Sequence, residues 1–432
     1  MKKTFYITTA IDYVNSEPHI GHAYQKIIAD VLARWNKIHG KDGFFLTGTD
    51  EHGQKIARRA EEDKKKPKEF TDFLAPKFES AWRLLNVNFD RFLRTTDKDH
   101  LEKVKKFILL MNEKGDIYKG TYKGLYCEGC EAYVTEKELI DGKCQYHPNR
   151  EIKEISEETY FFRLSKYQKK LIELYKKNKD FILPAFRRKE IINRVENGLT
   201  DLNITRLKKN MPWGVDFPLD NKYVVYVWYE ALLNYITGID WPEKKFKKFW
   251  PADVEILGID NGWFHCVIWP AMLFSAGLEP PKTILINGFL TFNGQKISKS
   301  LGNSISPKTL TEKYPADSIR YYVCRNFVFG EDGDFSEKNL GERHNNELAN
   351  KLGNLVSRTT SLAEKNGLEK TENKLLKNLK IKKIESLFEN YEFDKVLNEI
   401  FSFIDICNEY VQEKKLWETK NKKQIYEVLD SI

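Results

Sequence analysis

No run of apolar residues in this 432-residue chain approaches the length of a membrane span. Nor does an apolar stretch precede the first strand-like segment, which begins by about residue 4, where a leader peptide would need one. Neither a membrane-spanning chain nor a secreted one fits, and a soluble, cytoplasmic protein is expected. Low-complexity sequence is scarce as well. Hydrophobic residues make up 41% and charged residues 31%, so there is material for cores and no sign of general disorder; only residues 364–383, rich in Lys and Asn, read as a connector. Cysteine is sparse, at six residues. Cys127, Cys130 and Cys144 cluster with His147, while Cys266, Cys324 and Cys407 lie far apart in apolar or helical contexts. That distribution fits a metal site and buried thiols in a reducing compartment rather than disulfides. The net charge of +8 is carried by lysines scattered over the whole chain, so it agrees with a polyanionic partner without demanding one. A prior of roughly 150 residues per domain suggests two or three domains at this length.

What is present begins with Pro18-His19-Ile20-Gly21-His22. The apolar run Phe5 to Ala10 ahead of it predicts a buried strand, and Ile27, Ile28, Val31, Leu32, Trp35 and Ile38 behind it recur at helical spacing. The two histidines therefore fall where a strand hands over to a helix, whose first N–H groups are unpaired and whose dipole is positive there. Gly21 lets a ligand approach the backbone. This is an anion site in outline, against the plainer reading of two capping histidines. A second strand, Gly43 to Thr47, leads into Gly48-Thr49-Asp50-Glu51-His52-Gly53 and another helical stretch. Strand, helix, strand, helix predicts a parallel sheet with ligands at the carboxyl ends of its strands, where Asp50 and His52 fall. Read alone, Asp50 serves equally as a helix N-cap.

Residues from about 65 to 113 have a helical pattern. Beyond Gly115 come short strands and turns holding Cys127-x-x-Cys130, thirteen further residues, then Cys144-x-x-His147. Two closely spaced pairs are what tetrahedral zinc needs, and four protein ligands make a closed, structural site. The run Tyr223 to Trp228 and the strands at 254–258 and 283–287 resume the doubly wound pattern, so residues from about 115 to 215 read as an insertion between two halves of one nucleotide-binding fold. Gly288 to Asn303 then carries Lys296-Ile297-Ser298-Lys299-Ser300 between glycines, either a loop able to fold two ammonium groups over a polyphosphate or a solvated turn. From Pro307 onward the chain reads as helical, with one long amphipathic helix over 340–362.

The histidine element after the first strand, paired with Lys296-Ile-Ser-Lys299-Ser after the last strand of a split fold, resembles the two signature motifs of class I aminoacyl-tRNA synthetases. Tyr13-Val-Asn15, the Gly-Thr-Asp50-Glu-His-Gly element, the single zinc knuckle and Trp228 at a strand end resemble the methionyl branch of that family, over about residues 4 to 420. The resemblance implies a split Rossmann-type catalytic domain (1–114 and 216–290), a connective insertion with the knuckle (115–215), a lysine-loop and stem-contact region (291–335) and a shortened helical anticodon-binding domain (336–432). It implies a methionine pocket of Ile11, Tyr13, Asp50, Trp228, Tyr235 and His265. It assigns His19, Gly21 and His22 to ATP phosphates, Gly258 and Asp260 to the ribose, and Lys296 and Lys299 to the pyrophosphate end. Asn350, Asn354 and Arg358, spaced to share a helix face, would read the anticodon with Trp417. Four positions depart from the family pattern: Ile259 where a lysine is usual, Asn261 for an apolar residue, Glu230 for an aspartate and Leu416 for a proline.

The implied reaction is ATP-dependent activation of L-methionine to its adenylate and transfer to methionine tRNA, initiator and elongator. One structural zinc, Mg²⁺ with ATP and a monomeric state without an appended dimerisation module are expected. Three readings compete: a class I synthetase for another apolar amino acid, whose editing insertion would have to be larger than this one; a nucleotidyltransferase without tRNA; and a catalytically weak, synthetase-derived tRNA-binding protein, to which Ile259 and the short C-terminal end give support.

Overall fold

The computed structural model describes residues 3–130, 132–134, 139–292, 294–297 and 305–432. The chain forms two compact units, one of Met1–Arg83 with Val87–Asn287 and one of Leu84–Asn86 with Gly288–Ile432.

The first unit is built on a seven-stranded sheet in which every pairing is parallel. β1 (Thr4–Thr9) lies between β3 (Asp42–Asp50) on one side and Val254–Gly258 on the other, with Ile7 opposite both Phe45 and Val254. β2 (Asp12–Tyr13) and β4 (Arg91–Arg94) both run beside β3. Strands covered on both faces need side chains that are apolar on both, which is why Phe5 to Ala10 reads as a continuous buried run rather than an alternating one. Helix α1 (Ile20–Ile38) connects β1 to β3 and buries Ile20, Ala23, Tyr24, Ile27, Ile28 and Leu32. Strand order reverses at β1, the position where open α/β sheets leave a crevice at the carboxyl ends.

Two features of this unit depart from the sequence reading. β4 interrupts the 65–113 stretch expected to be wholly helical; its four residues carry arginine at both ends and show no strand signature without β3 beside them. The 115–215 segment is also not wholly an insertion, since Ile182–Leu183 pairs with Ile284 and Leu285 at the edge of the main sheet. The remainder of that segment is built on a long antiparallel hairpin, Ile117–Cys127 against Ile152–Phe162. The run Tyr223 to Trp228, expected as a strand, is extended only over Tyr223–Val225, and Trp228 lies in the short helix Val227–Ala231.

Farther along, Phe264–Ile268 is a π-type turn running into the helix Trp269–Ala276. Pro270 has no N–H to return to the preceding turn, and the Cys266 carbonyl instead accepts a 2.7 Å hydrogen bond from the Tyr175 hydroxyl. A π turn of this kind re-aims the side chains it carries, here Phe264 and His265.

In the second unit, Leu290–Phe292 pairs with Gln295–Lys296 and Gly333–Phe335. Helices follow, and the one expected over 340–362 runs from Glu337 to Asn366, with a π-type stretch at His344–Gly353. The Lys/Asn-rich connector is tied down: Thr371 N–H donates to Asp430, Lys374 N–H donates to Ser431, and Leu375 joins a core with Leu355, Phe401, Ile404, Val411, Leu416 and Val428. No helix among the described residues is long and apolar enough to cross a membrane.

Candidate active site

His19 caps α1. Its Nδ1 accepts from Gly21 N–H at 3.2 Å, and Nδ1 of His22 accepts from His19 N–H at 3.2 Å, with the two rings 3.8 Å apart. Each bond occupies Nδ1 as an acceptor, so the neutral rings carry their protons on Nε2. Burial, and after it the nearby charge of Lys26, pulls His22 down to about 3, which keeps that ring a neutral donor at physiological pH. The capping histidines and the anion site are therefore one arrangement, in which Nδ1 of each ring serves the helix and the donor of each ring rests on Nε2.

The strand next to β1 ends at Gly258, followed by the tight turn Ile259–Asn261. A Cβ on Gly258 would lie 2.9 Å from Asp260 Oδ1 and 3.3 Å from Gln25 Nε2, so the side chains of Asp260 and of Gln25 on α1 both reach this point. Asp260 is exposed, and Ile259 packs against the core.

At the end of β3 a polar network fixes the Asp50–Gly53 segment. Glu51, fully buried, accepts from Arg94 at 2.6 and 2.8 Å, from Thr49 at 2.8 Å and from Thr96 at 2.8 Å, and its backbone N–H donates to Thr95. Asp50, buried beside it, pairs in register with Tyr13. His52 Nδ1 lies 2.8 Å from one oxygen of Glu230, and His100 Nε2 lies 3.0 Å from the other. Burial alone would raise Glu230; the two histidines bring it below the ordinary carboxylate value. Glu230 thus ties the helix that carries Trp228 to the end of β3.

Trp228 stacks on Phe264 with ring centroids 4.1 Å apart and planes within 8°. Tyr235 donates from its hydroxyl to His265 Nε2 at 2.6 Å, since His265 Nδ1–H donates to the Asn261 carbonyl. Burial pushes the Tyr235 hydroxyl well above its ordinary value, and the charges of Glu255, Asp12 and Asp50 add to it. Asp50, Tyr13, Tyr235 and His265 are thereby brought to one region, with Trp228 linked to it through Glu230 and Phe264; Ile11 is half-buried just ahead of β2. Phe264, Glu51, His100 and Lys26 carried no assigned role in the sequence reading, and His52 was placed only at a strand end. Only the Trp269-Pro270 pair inside a helical pattern hinted at a local distortion that would turn Phe264 inward.

The other expected sites divide. Ser298, Lys299, Ser300 and the side chain of Lys296 lie outside the described residues. Asn350, Asn354 and Arg358 are all exposed; Asn350 belongs to the π-type stretch, so pure α spacing does not set its phase relative to the other two. Trp417 is 53% exposed, while neighbouring Leu416 is 2% exposed and belongs to the core. At the end of the long hairpin, one ligand atom from each of Cys127, Cys130, Cys144 and His147 falls within 4.8 Å of the others, and the four could hold a metal ion. Gly129 is required there, because a Cβ would come within 2.3 Å of the His147 ring.

Neutral imidazole donors at a helix start, placed at the reversal point of a parallel sheet, suit the phosphates of a nucleotide, and known sequences identify the family. The chain belongs to the class I tRNA synthetases: the sequence pattern described as tRNA synthetases class I (M) matches residues 5–155 and 136–360. Methionine–tRNA ligase of Thermotoga maritima is 46% identical over 96% of this chain and 68% of that protein, and that of Nostoc sp. is 42% identical over 100% and 86%. Among solved structures, Mycobacterium tuberculosis methionyl-tRNA synthetase bound by methionyl-adenylate superposes with a TM-score of 0.93 at 36% identity, over 99% of this chain and 88% of that one.

Burial holds His265 at about 4, against an ordinary 6.5. Between those values the unfolded chain binds more protons than the folded one, so stability conferred by the neutral ring is complete above about pH 6.5 and lost as pH falls toward 4. The effect is on the order of 3 kcal/mol. His265→Gln should show a shallower loss of melting temperature over this range than the unmodified chain; equal slopes would contradict the assignment.

Proposed function

We propose that this chain is a methionine–tRNA ligase that activates L-methionine with ATP and transfers it to methionine tRNA. The observation that carries this reading is the match, over nearly the whole chain, to a structure holding methionyl-adenylate. In the first step the methionine carboxylate attacks the α-phosphorus of ATP and the bond to pyrophosphate breaks; in the second, the acyl group moves to the terminal ribose of the tRNA and AMP leaves. A carboxylate is already an anion at neutral pH, so the first step needs no general base. The protein's contribution is alignment, together with stabilisation of charge on the departing phosphates.

The roles follow from that demand. His19, His22 and the N–H groups around Gly21 bind phosphate oxygens, and Lys296 and Lys299 add positive charge at the pyrophosphate end. Gly258 and Asp260 take the ribose. Asp50 answers the methionine ammonium, while Ile11, Tyr13, Trp228, Tyr235 and His265 enclose its side chain, with Phe264 added to this set because it stacks on Trp228. Aromatic walls suit a polarizable thioether. Mg²⁺ enters with ATP. The exposed Asn350, Asn354, Arg358 and Trp417 are assigned to the anticodon. ATP and tRNA as substrates make the cytoplasm the setting, and the chain is taken to work as a monomer.

Cys127, Cys130, Cys144 and His147 are assigned to one zinc ion. Three thiols and an imidazole are the donor set zinc favours, and such a closed site stabilises local folding rather than taking part in the reaction. Elemental analysis should return one zinc per chain, and Cys144→Ala should lose it while making the 117–162 hairpin protease-sensitive. Protein purified without chelator and free of zinc would overturn the assignment.

Exchange of pyrophosphate into ATP tests the function directly: it should depend on methionine and not on isoleucine, valine or leucine. Trp417→Ala should leave that exchange unchanged while charging of methionine tRNA falls by about one to two orders of magnitude at subsaturating tRNA, the loss expected for one stacked base at roughly 1–3 kcal/mol. Exchange without methionine dependence would refute the activity, and normal charging by the variant would refute the role of Trp417.

A further inference from the structure

Lys26 is fully buried, an unusual place for an ammonium group. It projects from α1 one turn beyond His22, and its Nζ donates to the Ala10 carbonyl at 2.9 Å and to Asp12 Oδ1 at 2.7 Å, with the Trp82 ring centroid 5.7 Å away. Asp12 is itself buried, in the two-residue strand β2 between Ile11 and Tyr13. Only two register pairs hold that strand, Asp12 opposite Thr49 and Tyr13 opposite Asp50. Helix α1, by contrast, is fixed by a long apolar face. Backbone hydrogen bonds flank the segment, from Ala10 N–H to the Ile256 carbonyl at 2.8 Å and from Val14 N–H to the Asp50 carbonyl at 3.1 Å, and these tie it to the sheet; toward the helix that starts at the phosphate-binding histidines it is bridged by Lys26.

We infer that Lys26 and Asp12 are positioning residues for methionine. Their ion pair locks β2 to α1, so that Ile11 and Tyr13 are held against the end of β3, and it neutralises the Asp12 carboxylate, leaving Asp50 to answer the substrate ammonium. This inference rests on the methionine-activating reading above. The charges of Glu255, Asp12 and Asp50 all reach Tyr235, so the three carboxyl groups share one neighbourhood; burial pushes Glu255 up to about 8, so it is mostly protonated at neutral pH and does not compete with Asp50. Burial pushes Asp12 up to about 6 and Lys26 below its ordinary value, so each charge persists at a cost that the other offsets. A buried pair replaced by apolar groups of similar volume commonly leaves stability unchanged or higher. A role confined to stability would thus be met as well by leucine and methionine at these positions, and a positioning role would not.

The test measures methionine-dependent pyrophosphate exchange and melting temperature on the full chain and on Lys26→Met, Asp12→Asn and the double variant Lys26→Met/Asp12→Leu. Each single variant leaves one buried charge uncompensated and should melt earlier. The double variant should recover most of the melting temperature yet keep a methionine KM about tenfold or more above that of the unmodified chain, with the ATP KM and kcat changed less than about threefold, the signature of lost binding rather than lost chemistry. Asp12→Asn, which leaves an unpaired cation where a substrate ammonium must bind, should raise the methionine KM most. A stable double variant with the original methionine KM would overturn the inference. So would a double variant in which both KM values rise together, because that points to a general loosening of the site. An unmodified chain lacking methionine-dependent exchange would refute the activity itself, an outcome distinct from either of these, and would take the inference with it.

Discussion

A parallel strand buried on both faces has no side-chain position left for chemistry along its length; only where it stops can a polar group meet a ligand. β1, β3 and the strand Val254–Gly258 are such strands, adjacent in one sheet. Every residue of the candidate site in the first unit follows from where these three end or from what packs over their ends. β1 delivers the chain through Ile11 and Tyr13 to the start of α1, β3 delivers Asp50 and His52, and the third strand delivers Gly258 and Asp260. Two substrates that must react with each other need groups from different parts of the chain at one place, and adjacent strand ends supply them without a long-range loop.

Such a site gathers charge in a setting that penalises it. One solution recurs at three places, where a buried charge is matched by a group from another element. Arg94 answers Glu51 across β4 and β3, His52 and His100 flank Glu230, and Lys26 answers Asp12. Pairs of this kind are weak contributors to net stability but strong constraints on geometry, because either partner alone is costly to bury. The His52–Glu230 and Lys26–Asp12 pairs also join segments that carry functional side chains. Rigidity of the site and tolerance of its buried charges are thus consequences of the same contacts. A reaction that depends on alignment rather than on a protein nucleophile or base benefits from that rigidity.

Legibility of the sequence tracked how local each feature is. The histidine element, the Gly-Thr-Asp50-Glu-His-Gly element and the spacing of Cys127, Cys130, Cys144 and His147 are local patterns, and the structure places them at a helix start, a strand end and one hairpin tip. Features set by distant partners left no such trace. β4 and Ile182–Leu183 are strands only because the edge they pair with exists. The π-type turn at Phe264–Ile268 depends on Pro270 and on a hydroxyl from Tyr175, and the stacking of Phe264 on Trp228 depends on that turn. Lys26 looked like one more polar position in a helix whose apolar spacing was already satisfied; nothing in its neighbours announced a partner fourteen residues upstream. Trp228 was read as the end of a strand because Tyr223 to Trp228 is apolar throughout, and a short buried helix has the same composition.

In the proposed reaction, the end of β3 and the start of α1 divide the first step between them, one holding the methionine ammonium and the other the phosphates. Substituting Asp50 by asparagine keeps size and hydrogen-bonding capacity and removes only the charge. Measured by pyrophosphate exchange with each substrate varied in turn, Asp50→Asn is predicted to raise the methionine KM about a hundredfold, in line with the loss of one partner from a buried charge pair, and to leave the ATP KM within about threefold of its original value. A variant that retains the original methionine KM, or that loses ATP binding instead, would contradict the account.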